Sequence, residues 1–202
     1  ILGTPGSGKS FTAKREMANA ILVTDDDVII CDPEGEYGNL VKQFKGEVVK
    51  VSAKSKDYLN PLDINMNYGD GDAPLKDKAN FIISMLELVV GGTGLTAEEK
   101  SIVDRCLPKI YEKYFNDPKQ ENMPILQDLY DMLKNQEEHV GRKLATEMEI
   151  YVSGSLNVFN HQSNVDLNKQ LLCFDIKELG TQLKKIGMLV IQDQVWNKVS
   201  LN

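Results

Sequence analysis

Residues Gly3 to Ser10 read GTPGSGKS and fill every fixed position of the pattern GxxxxGK[ST], with Gly3, Gly8, Lys9 and Ser10 in the required places. That spacing suits a polyphosphate. Phosphate oxygens are held by backbone N–H groups aimed inward from a tight turn, and Gly6 and Gly8 permit the conformations and the close approach that side chains would block. A helix starting near Lys9 would add its positive end at the same point. Lys9 is expected to reach the β- and γ-phosphates as a point charge, and the Ser10 hydroxyl to hold Mg²⁺. The expected nucleotide-binding stretch is therefore Gly3, Thr4, Pro5, Gly6, Ser7, Gly8, Lys9, Ser10 and Phe11.

Binding alone is not hydrolysis. Turnover also needs an acid near the magnesium ion and a group that orients the attacking water. Two apolar runs end in aspartate, VIICD at Asp32 and LLCFD at Asp175, and neither is followed by glutamate. In doubly wound sheets ligands gather at the carboxyl ends of strands, where both aspartates would stand. Just beyond the first lies DPEGEYGNL, which adds Glu34 and Glu36; a carboxylate there could polarise water or take its proton. Lys9, Asp32 and Glu36 are the expected catalytic set, and a Pro-Gly turn with solvated acids is the plainer alternative for the glutamates.

These residues need elements to hold them. Gly8 to Leu22 reads as a helix with Phe11, Met17, Ile21 and Leu22 available for burial. Val28 to Cys31 is a continuous apolar run of the kind found in strands covered on both faces, and Glu47 to Ser52 is a second strand candidate followed by the extended piece LNPLDI. From about Asp72 to Val152 the apolar spacing is helical throughout. Thr96 with Glu99 forms a capping-box pattern, Pro108 should kink the helix that follows, and Pro124 suits the first turn of the next. Gln170 to Ile176 returns to a buried strand, and Lys177 to Ser200 reads as a long helix. The expected architecture is α/β, with 1–70 and 156–202 forming one core and 71–155 an all-α insertion. The chain opens at Ile1 and stops after a helix with no further strand, so both ends are expected to continue in a longer protein.

The net charge of −7 argues against a surface built for nucleic-acid phosphates. Cys31, Cys106 and Cys173 lack metal-ligand spacing and are expected to be reduced core thiols. His139 and His161 lie in different regions and suggest no catalytic pairing. No apolar run is long enough to span a bilayer, which needs roughly 18 to 20 residues.

Together ILGTPGSGKSF, DPEGEY, LNPLDI, CFDIKELG and QDQVW resemble the motor ATPases of the HerA/FtsK superfamily, and more closely the conjugative-transfer ATPases of type IV secretion systems, the VirB-four family. The resemblance spans nearly the whole chain. It implies a RecA-like P-loop NTPase core with an inserted all-α subdomain, ATP and Mg²⁺ as ligands, and Asp32 and Glu36 facing the γ-phosphate region. It also implies a homo-hexamer that works with other secretion or conjugation components at the cytoplasmic face of the membrane, with DNA as a possible partner and an upstream region for membrane docking. The family's strand ending in Asp-Glu, its sensor glutamine and its arginine finger would follow Asn202, so this segment alone is expected to hydrolyse ATP poorly. Other readings are a DNA-pumping motor unrelated to secretion and a nucleotide-gated docking platform without turnover. A small-molecule phosphotransferase would want an arginine-rich lid, and only Arg15, Arg105 and Arg142 are present.

Overall fold

The computed structural model describes residues 8–66 and 74–199. Helix α1 (Lys9–Val23) leads into strand β1 (Val28–Asp32), the short helix α2 (Gly38–Gln43) and strand β2 (Glu47–Lys50). Four helices follow: α3 (Pro74–Val90), α4 (Ala97–Asn116), α5 (Leu126–Lys134) and α6 (His139–Val152). Strand β3 (Leu171–Asp175) and the long helix α7 (Thr181–Val199) complete the order. The architecture is mixed α/β around a small parallel sheet in the order β1-β3-β2.

Side chains alternate across a strand, and the sheet uses that alternation to face two different cores. Leu172 and Phe174 of β3, with Val49 of β2, join a large cluster that also takes residues of α3, α4, α5, α6 and α7. Leu171 and Cys173, with Ile30 of β1 and Val41 of α2, form a small second cluster on the opposite face. The helices between β2 and β3 thus share one continuous core with the sheet. Their apolar stripes end up where their spacing places them: Ile82, Met85 and Leu86 in α3, Val103 and Leu107 in α4, Leu129 and Leu133 in α5, Leu144 and Met148 in α6 are all buried. Helix α4 continues through Pro108, and α5 starts at Leu126, so Pro124 precedes the helix instead of opening it.

Two expectations about burial are corrected. Phe11 is 73% exposed and Leu22 is also exposed, because α1 meets the sheet only through Met17 and Ile21, which pack on the small cluster. Cys31 is exposed on β1, whereas Cys106 and Cys173 are buried. Burial and the neighbouring Asp32 carboxylate push the Cys173 thiol up to about 12, so it is an inert core thiol. Among the described residues no helix is long and apolar enough to cross a membrane.

The LNPLDI segment is not a strand. It is a buried connector tied to distant parts of the chain, although Asp63 Oδ1 has no hydrogen-bond partner among the described residues. The Asn60 side chain donates to the Pro124 carbonyl at 2.8 Å, the Tyr111 hydroxyl donates to the Leu62 carbonyl at 2.5 Å, and Gln194 donates to the Asn60 carbonyl at 2.9 Å. Such closure is required of buried backbone.

Candidate functional site

Helix α1 begins at Gly8, whose φ of 81° is the left-handed conformation that favours glycine. A helix start leaves its first N–H groups without intrahelical partners, and side chains usually supply the acceptors. Here the N-cap is a glycine, which offers no side-chain cap, and no acid stands in the first turn. A Cβ placed on Gly8 would meet nothing within 4 Å. Ser10 and Phe11 are exposed and Lys9 is half-buried. Gly3, Thr4, Pro5, Gly6 and Ser7 lie outside the described residues.

The parallel register brings the two strand-end aspartates side by side, Asp32 opposite Asp175. The pair is locked through backbone, since Ile176 donates its N–H to the Asp32 carbonyl at 3.1 Å and Val51 donates to the Asp175 carbonyl at 2.9 Å. Their side chains then do different things. Asp32 is 1% exposed, and its carboxylate turns back into the following loop: one oxygen accepts from the N–H groups of Glu34 (3.3 Å) and Gly35 (2.8 Å), and the other accepts from Tyr37 N–H at 2.9 Å. Asp175 accepts from Lys177 N–H at 3.0 Å. Asp32 therefore holds the shape of the loop Pro33 to Tyr37 with both of its oxygens. Glu34 and Glu36 project from that loop into solvent and make no ion pair or hydrogen bond through their side chains among the described residues.

The loop is fastened on its outer side as well. From α1, the Lys14 ammonium stands 5.2 Å from the centre of the Tyr37 ring, within cation–π range. From α7, Lys184 donates to the Pro33 carbonyl at 3.4 Å. From the turn after β3, Lys177 lies over Gly35, which has a φ of 69°. The sequence does not single out Lys177 or Lys184 as functional. Burial and the nearby Glu36 and Asp32 carboxylates raise the Tyr37 phenol above its usual range, so it stays neutral.

A cavity of about 450 Å³ between α3 and α7 is a different place, lined by Lys78, Phe81, Asp193 and Trp196 among others. Its one buried cation is already used. Lys78 donates to Asp193 at 2.5 Å and to the Pro61 carbonyl at 3.4 Å, and it stands 4.7 Å from the centre of the Phe81 ring. Burial pulls Lys78 below its ordinary range and pushes Asp193 above its own. The pair is a buried staple of LNPLDI to α7. The His161 ring lies tilted against Tyr58 with centroids 4.1 Å apart, and no group of three or more His, Cys, Asp or Glu is placed to hold a metal among the described residues.

With this geometry in view, the likenesses to known proteins are specific. Residues 1–186 match the family described as Helicase HerA, central domain. Among solved structures, VirB4 of Thermoanaerobacter pseudethanolicus is similar in fold, with a TM-score of 0.87 at 21% sequence identity, over 100% of this chain and 56% of that one. The chain thus spans little more than half the length of that structure. No curated protein matches the sequence.

Proposed function

The chain belongs to the HerA helicase central-domain family, and on that premise we propose that it is the ATP-binding and hydrolysing part of a type IV secretion or conjugative-transfer motor. The observation that carries this reading is the likeness of fold to VirB4 along the entire chain. ATP is held by Gly3 to Phe11, with Lys9 on the β- and γ-phosphates. The residues fit this ligand, because Gly8 opens α1 in a left-handed conformation and the first turn carries no acid. They fit magnesium as well. The exposed Ser10 hydroxyl in the first turn of α1 would be the chain's contribution, with phosphate oxygens and water completing the shell. Bound magnesium neutralises charge that builds on the phosphates.

Asp32 acts here as the residue that shapes the loop, since both of its oxygens are taken by backbone N–H groups. Glu36 is the carboxylate available to orient or deprotonate water. Helices α3 to α6 correspond to the all-α insertion, the motor assembles as a homo-hexamer, and it works with other secretion components at the cytoplasmic face of the membrane. The test is magnesium-dependent ATP turnover by the full-length protein. Lys9→Ala should abolish turnover, and Glu36→Gln should lower it about 10²- to 10⁴-fold. Full activity in both variants would remove these residues from the site.

The family's own description, a helicase domain, favours a second reading as a DNA-pumping motor. Turnover stimulated by DNA, with salt-sensitive DNA binding, would select it over a secretion motor indifferent to DNA. ATP binding without turnover would leave a nucleotide-gated docking platform.

A further inference from the structure

We propose that Lys177 is a positioning residue for the loop that carries Glu36, acting through its aliphatic stem instead of its charge; this rests on the assignment of Glu36 given above. Asp32 secures the inner side of the loop by accepting three of its N–H groups, and that leaves the outer side to be held by something else. The outer side is covered by lysines from the β3–α7 region. A Cβ on Gly35 would stand 2.8 Å from Lys177 Cδ and 3.6 Å from Lys177 Cβ, so loop and lysine stem are in close approach that only glycine allows. The Gly35 φ of 69° makes the same demand independently.

The Lys177 ammonium makes no ion pair among the described residues, and alongside the hydrogen bond from Lys50 its charge helps hold the neighbouring Glu178 carboxyl below its usual range. Glu178 is paired with Lys50 at 2.6 Å, and Asp175 accepts from the Lys177 backbone N–H, not from its side chain. That backbone bond, with the one from Ile176 to the Asp32 carbonyl, fixes the start of the Lys177 side chain relative to β1. Lys184 supports the same surface from one turn into α7 by its bond to Pro33. Loop, strand ends and α7 therefore form one unit, and the stem over Gly35 is its outer wall. Misplacement of a reacting group by about 1 Å can cost on the order of 10²-fold in rate.

Two readouts on the full-length protein test this. The first is amide hydrogen exchange at Gly35 and Tyr37, whose N–H groups bond to Asp32. Lys177→Ala should speed exchange at both, and Lys177→Met, which keeps the stem and removes the charge, should restore it. The second is steady-state ATP turnover. Lys177→Ala should lower kcat about 10- to 100-fold with KM nearly unchanged, and Lys177→Met should recover most of the loss. Unchanged exchange in Lys177→Ala would overturn the proposal, and so would a Lys177→Met variant that behaves like Lys177→Ala in both readouts. Failure of the Glu36 assignment looks different: Glu36→Gln would keep full turnover while Lys177→Ala still loosened the loop amides.

Discussion

Helices α1 and α4 begin in opposite ways. At α4 the Thr96 hydroxyl accepts from Glu99 N–H at 3.2 Å while the Glu99 carboxylate accepts from Thr96 N–H at 2.7 Å, a complete capping box. Its inward face then buries Ile102, Val103, Cys106, Leu107 and Tyr111. At α1 there is no side-chain cap and no buried residue. Under the proposed function the contrast is a division of labour. A helix that keeps its first N–H groups for a phosphate gives up a cap and leans on whatever it binds, whereas a scaffold helix closes its own ends and gains from burial.

Substitutions would break or sharpen that contrast, measured as unfolding free energy by denaturant titration. The largest loss is expected for Lys78→Ala, about 3 to 5 kcal/mol, because Asp193 would remain in a largely buried site without its partner. Replacing both members, with Lys78→Met and Asp193→Leu together, should cost much less than the single change. Leu129→Ala, at a fully buried position of α5, should cost about 2 to 5 kcal/mol. Thr96→Ala should cost about 1 kcal/mol. The same cap gives a pH signature. The hydrogen bond from Thr96 N–H holds the Glu99 carboxyl below its usual range. Its contribution is therefore complete above the ordinary glutamate value of about 4.3 and is lost as pH falls through the depressed folded value. The stability gap between wild type and Glu99→Ala should close over that acid window. Smallest of all, Phe11→Ala should stay within about 0.5 kcal/mol; a loss as large as that of Leu129→Ala would mean that α1 is packed like α4 after all.

The sequence made the helices legible where many turns repeat one apolar face, as with Leu126, Leu129, Tyr130 and Leu133, because a partner core was available on that side. The same reasoning failed for Phe11 and Leu22. Periodicity says which residues share a face, and only the rest of the fold decides whether that face is covered. Helix α2 is six residues long, too short for a periodic signal, and went unread. Within the candidate site, Asp32 and Glu36 were visible as residues at a strand end. Their different surroundings were not, since the carboxylate of Asp32 is turned inward by backbone N–H groups that a sequence does not place. Lys177 and Lys184 were hidden for the same reason: a lysine stem laid over a glycine and a solvated lysine are spelled alike.

Strand β3 is the middle strand, yet it is the last of the three to be made. Neither β1 nor β2 pairs with the other, and each waits for Leu171–Asp175 to arrive after residues 51–170. Pairings so distant along the chain demand a large loop closure before they reward it, and they slow folding. The helices α3 to α6 make mostly local contacts and can form ahead of that event. The strand ends that align Asp32 with Asp175 then come into register in a late step, so on a ribosome that edge of the sheet would be assembled only once the helical half had already emerged.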